Sequence, residues 1–162
     1  MHPKIVQLDA FEVMGIAART NNAKESVENG AIPELWQHVM QEHVLDRLPN
    51  KTDPDLYAVY TDYASDANGD YTLVLSAKVS NASDSLIPSG MVRKKVPAGE
   101  YAVFTSERGP VAKVVVETWK RIWAYYQSSA NAERAYRADF ELYDERASDP
   151  NNAQVDIYIA LK

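Results

Sequence analysis

Apolar and polar residues alternate from Lys4 to about Ala18, carried by Ile5, Val6, Leu8, Phe11, Val13 and Ile16. That period of two predicts a strand, with a bulge at Gly15. After a polar loop from Asn21 to Gly30 the period changes. Ile32, Leu35, Trp36, Val39, Met40, His43 and Leu45 recur every three to four residues, which predicts an amphipathic helix over 33–47 that Pro49-Asn50 ends. Strands are predicted at 56–63 and 70–80 around the turn signal Asn68-Gly69. A polar connector, Ser80 to Ser89, precedes two further strands, Met91–Val96 and Glu100–Thr105, broken at Pro97-Ala98-Gly99. A second helix follows Pro110, with Val111, Val114, Val115, Trp119, Ile122, Trp123 and Tyr126 as its stripe. Strands at 138–145 and 154–161 close the chain across Asp149-Pro150-Asn151-Asn152.

The second half of this pattern rewrites the first. Tyr57-Ala58-Val59-Tyr60 followed by Ala64-Ser65-Asp66-Ala67-Asn68 returns as Phe140-Glu141-Leu142-Tyr143 followed by Ala147-Ser148-Asp149-Pro150-Asn151, at a shift of 83 that also carries Trp36 onto Trp119. Thr72-Leu73-Val74-Leu75 matches Asp156-Ile157-Tyr158-Ile159 at a shift of 84. The expectation is one α+β domain over 1–162, made of tandem strand–helix–strand–strand units at about 4–80 and 90–162. The two units share one mostly antiparallel sheet, with both helices on one face and a central ligand cleft between the copies.

Within the matched strands one exchange changes the chemistry: Ala58 of the first copy is Glu141 of the second. Alternation puts Glu141 and Tyr143 on one face, and Tyr60 is the symmetry mate of Tyr143. With Trp36, Trp119 and Tyr158 as further walls, Glu141 would floor an aromatic chamber. A carboxylate among ring faces suits an organic cation, since each ring contributes about 0.5–2 kcal/mol. His38 and His43 lie five apart on the helix and do not make a metal pair. No metal and no cofactor is implied.

Bulk composition narrows the classes. The 162 residues carry a net charge of −6 and no cysteine, which argues against direct nucleic-acid binding and removes thiolate chemistry. No apolar run approaches the ~18 residues of a membrane span, so the expected location is the cytoplasm.

Phe140-Glu141-Leu142-Tyr143, the Asp149-Pro150-Asn151 turn and the ending Val155 to Lys162 resemble the close of GyrI-like effector-binding domains. These are the small-molecule-binding parts of AraC-type and MerR-type transcription regulators. The opening Phe11-Glu12-Val13-Met14-Gly15-Ile16, the Val96-Pro97-Ala98-Gly99-Glu100-Tyr101 strand and the helices with Trp36, Trp119 and Trp123 agree in order and spacing. The resemblance implies a non-catalytic receptor for cationic or amphipathic drug-like molecules, with Glu141 as the pocket glutamate and Tyr143 beside it. No helix-turn-helix precedes the first strand, so the chain is most similar to stand-alone members encoded by integron cassettes. Partners would then be a separately encoded regulator or a second copy of the chain. The same resemblance leaves two other roles open: a hydrolase using Glu141 as general base, and a protein-interaction role such as gyrase inhibition.

Overall fold

The computed structural model describes residues 3–25, 30–48, 51–65, 69–80, 87–127 and 134–162. Eight strands form one sheet: β1 (Lys4–Leu8), β2 (Phe11–Thr20), β3 (Leu56–Thr61), β4 (Tyr71–Val79), β5 (Val92–Val96), β6 (Gly99–Thr105), β7 (Ala138–Tyr143) and β8 (Asp156–Ala160). Three α-helices accompany them: the single turn α1 (Asn22–Glu25), α2 (Ala31–Glu42) and α3 (Val111–Gln127). The fold is α+β, and every strand pairing is antiparallel.

Strand order is β1-β6-β8-β7-β3-β4-β2-β5. Exchanging each of the first four strands for the one four later returns the same order, read from the other edge. The central register agrees: Ala58 faces Glu141, while Leu56↔Tyr143 and Tyr60↔Asp139 exchange under the 83-residue shift. Glu141 therefore sits on the pseudo-two-fold axis itself. The outer match needs correction. Tyr57 faces Ser76 and Phe140 faces Tyr158, so Tyr158 is the mate of Ser76, at a shift of 82 rather than 84.

Such a sheet cannot be flat. β1 and β2 lie six strands apart in the order yet are joined by Asp9-Ala10 alone. Three Cα steps reach at most about 11 Å, whereas six strand spacings span about 29 Å. β5 and β6 repeat the situation across Pro97-Ala98. The registers Leu8↔Gly99 and Phe11↔Val96 continue one ladder across both breaks, so the sheet curls and closes on itself. Its inner side holds Val13, Tyr57, Val59, Val74, Val96, Tyr101 and Phe140, buried with no helix over them among the described residues.

The helices cover the outer side. Trp36 and Val39 of α2 pack on Met14, Ile16, Leu73 and Leu75, and Trp119 and Ile122 of α3 on Ala102, Phe104, Ile157 and Ile159. Both helices thus lie on one face, with the β3–β7 seam between them.

Three local expectations change. Residues 4–18 form two strands bent at Asp9-Ala10, and the β2–β4 ladder runs from Glu12 to Thr20 without a bulge at Gly15. The polar loop contains α1, whose Glu25 carboxylate accepts from the N–H groups of Ala31 (2.9 Å) and Ile32 (3.0 Å). That anion supplies the cap that Gly30 lacks at the start of α2. The first helix ends at Glu42, because His43 turns left-handed (φ 51°) and Val44–Arg47 continue as a 3₁₀ turn. Pro49-Asn50, Asn68 of the hairpin signal and most of the Ser80–Ser89 connector lie outside the described residues. The Asp149 turn forms, closed by Asn152 N–H to Asp149 C=O at 3.0 Å.

Candidate functional site

β7 carries Asp139, Glu141 and Tyr143 on the helix-covered face, while Phe140 and Leu142 point to the inner side. Glu141 lies between Ala58 of β3 and Ile157 of β8, and only 2% of it is exposed. Ala58 is fully buried beside it, so a small side chain on β3 leaves room for the acid on β7.

Three neutral donors converge on the carboxylate. Tyr143 O–H donates to Oε1 at 2.6 Å. Trp119 Nε1–H and Tyr60 O–H donate to Oε2 at 2.6 and 2.9 Å. Among the described residues no Lys, Arg or His pairs with Glu141. Burial raises its pKa above the ordinary 4.5, and the hydrogen bonds from Tyr143, Trp119 and Tyr60 pull it part of the way back. Burial and the neighbouring Glu141 charge push the Tyr60 and Tyr143 phenols well above 10, which keeps them protonated as donors.

The rings around Glu141 fall into two groups, Trp36 with Tyr143 and Tyr71 with Tyr60 and Trp119. Trp36 meets Tyr143 edge-on at 4.9 Å, Tyr60 meets Trp119 at 5.2 Å, and Tyr71 meets Tyr60 at 5.4 Å. Five of the six residues expected from sequence are thus brought together: Glu141, Tyr143, Tyr60, Trp36 and Trp119. Tyr158 is not. It stands on the inner side of the sheet, stacked on Phe140 at 4.4 Å, because Ile157 and not Tyr158 is level with Glu141 in the ladder. There it lines a separate cleft of about 610 Å³ with Phe11, Tyr57 and Leu142.

Sequence reasoning missed four neighbours: Tyr71, Tyr63, Asp139 and Arg134. Asp139 Oδ2 accepts from Arg134 Nη2 at 2.7 Å and from Tyr63 O–H at 2.6 Å. The shift that exposed Glu141 against Ala58 also sets Asp139 against Leu56, a signal present in the sequence. The two helix histidines pair locally, His38 with Glu42 and His43 with Asp46, both exposed. Among the described residues no cluster of three His, Cys, Asp or Glu groups is placed to hold a metal.

The chain belongs to the family of integron-associated effector binding proteins, whose sequence profile matches residues 4–161. It is 36% identical over 159 residues to YobU of Bacillus subtilis, which carries the name of a transcriptional regulator, covering 98% of this chain and 96% of that one. It is 32% identical to the transcriptional regulator BrlR of Pseudomonas aeruginosa, of whose length it spans 56%. Among solved structures, an integron cassette protein of Vibrio cholerae matches with a TM-score of 0.75 at 28% identity, over 99% of this chain and 96% of that one. SAV2435, solved bound to tetraphenylphosphonium, matches in fold with a TM-score of 0.78 at 20% identity, over 100% and 94% of the two chains.

Proposed function

We propose that this chain is a non-catalytic receptor for cationic aromatic or amphipathic small molecules, with Glu141 as counter-ion and Tyr60, Tyr143, Trp36 and Trp119 as walls. The observation that carries the reading is a buried carboxylate satisfied by phenol and indole donors and, among the described residues, by no cation. Neutral donors hold the oxygens in place without cancelling the charge, so the missing positive partner is left to the guest. The tetraphenylphosphonium on SAV2435 and the family's description point the same way. A hydrolase using Glu141 as base is less well supported, since the family's description is of effector binding and the site's named residues offer no nucleophile.

The 4–80 and 90–162 units are read as two copies of one ancestral piece in a single domain, in keeping with the palindromic strand order. The output is read as transcription control through a partner, a separately encoded regulator or a second copy, which the names of YobU and BrlR support. Among the described residues no helix is long and apolar enough to cross a membrane.

Calorimetric titration of tetraphenylphosphonium and its neutral relative triphenylphosphine oxide between pH 4.5 and 8 tests the receptor reading. A cation favours the ionised carboxylate, so its affinity should rise with pH through the raised pKa of Glu141 and then level off. Triphenylphosphine oxide should show no such rise. Trp119→Phe removes one donor that holds the pKa down, so the midpoint should move to higher pH. Equal binding of cation and neutral relative at every pH would defeat the counter-ion role.

A further inference from the structure

β7 presents two carboxylates to the helix-covered face, and among the described residues only Glu141 of the two lacks a cation. Asp139 and Glu141 are 0% and 2% exposed and lie two strand residues apart, about 6.6 Å. Arg134, itself 5% exposed, places its guanidinium against Asp139 at 2.7 Å, 4.4 Å from the Tyr136 ring centre and 5.9 Å from that of Trp119. Trp119 is the same indole whose N–H serves Glu141. One ring therefore meets Glu141 with its edge and turns its face towards the cation paired with Asp139. The guanidinium has the surroundings a guest cation would seek: a buried carboxylate, two ring faces and a nearby phenol, Tyr63, on the same oxygen. Its Nε has no hydrogen-bond partner among the described residues. Arg134 is thus held by a hydrogen-bonded ion pair and by ring faces, with one donor left over.

We infer that Arg134 is a resident cation filling the second of two cation subsites, and that it restricts the receptor to ligands bearing a single positive charge. The inference rests on the counter-ion reading of Glu141. With Arg134 present the two acids leave one net negative charge, which a monocation neutralises and a dication overshoots inside a desolvated chamber. Without Arg134 the chamber holds two negative charges in line, and a rigid dication of matching span becomes the better guest.

N-methyl-4-phenylpyridinium and paraquat make a matched pair: both are flat, and paraquat adds a second charge about 7 Å from the first, close to two strand residues. Titration of both into wild type, Arg134→Met and Arg134→Met/Asp139→Asn reads the inference directly. Wild type should favour the monocation at least tenfold. Arg134→Met should move the ratio at least tenfold towards paraquat, and the double variant should return it. A ratio unchanged in Arg134→Met overturns the inference. Failure of wild type to bind either cation removes the Glu141 reading instead, and a second measurement then decides on Arg134 alone. Arg134→Ala should gain thermal stability, or recover folding yield if it is unfolded, in millimolar methylguanidinium but not tetramethylammonium, with wild type indifferent to both. No selective response to methylguanidinium overturns the resident-cation role.

Discussion

Glu141→Gln should give a protein that is more stable near neutral pH and a poorer receptor. Burial raises the carboxyl's pKa in the folded chain, so the folded state holds a proton over a pH range where the unfolded chain has released it. Stability then falls as pH rises from the ordinary carboxylate range through the raised pKa. Glutamine removes that slope and the desolvated charge together, a gain of about 1 kcal/mol or a few degrees in melting temperature. It leaves two hydrogens short of an acceptor, the Tyr143 hydroxyl's and one of the amide's, which offsets part of that gain. The amide oxygen can accept from Trp119 and Tyr60, while the amide N–H₂ donates to the Tyr143 hydroxyl, which rotates to accept. Cation affinity should fall at least 30-fold, about 2 kcal/mol, because the counter-ion is gone from a buried site. Thermal melts at pH 5 and pH 8 check the stability half: the gain over wild type should be larger at pH 8. A variant less stable than wild type at both values would mean the donors need the charge.

Gly15→Val should abolish cooperative folding, and Gly15→Ala should cost more than about 3 kcal/mol. A Cβ at Gly15 would lie 1.9 Å from the carbonyl oxygen of Leu75 and 2.6 Å from Ser76 Cα, both backbone. Neither can yield easily. Gly15 is paired on one side with Ser76 and on the other with Val92, and Ser76 is paired in turn with Tyr57. The close approach occurs where β2 runs between two partners in a sheet that must curl, and only a residue without a side chain permits it. Gly90→Ala is the control. Its φ of +81° carries a strain of about 1 kcal/mol, but nothing lies within 4 Å of the added carbon. Urea denaturation of the three variants separates the cases; equal losses at positions 15 and 90 would remove the close-packing explanation.

The elements were legible because each carries its own period. Val111 to Tyr126 keeps a helical stripe, and Phe140 to Tyr143 keeps strand alternation. The grouping of Glu141 with Tyr60, Tyr143, Trp36 and Trp119 was legible because the 83-residue match sets Glu141 against Ala58, and register then brings those two side by side. What the pattern could not carry is the curl of the sheet. It depends on Asp9-Ala10 and Pro97-Ala98 joining strands from opposite halves, and two residues inside an apolar run do not announce a change of partner. Tyr158 went to the wrong side for a related reason: alternation separates it from Ile157, but only the β7–β8 ladder says which of them shares a face with Glu141. Arg134 precedes β7 in a stretch with no period. Its partner Asp139 could have been found by the subtraction that found Glu141, since it stands where the first copy has Leu56.

The central claim is that one buried carboxylate reads positive charge, and a four-way comparison tests it most directly: tetraphenylphosphonium and triphenylphosphine oxide, each titrated into wild type and Glu141→Gln at pH 8. The account predicts a loss of at least 30-fold for the cation, about 2 kcal/mol, with the neutral molecule changed less than twofold. Equal losses for both ligands, or a cation that binds Glu141→Gln as tightly as wild type, would contradict it.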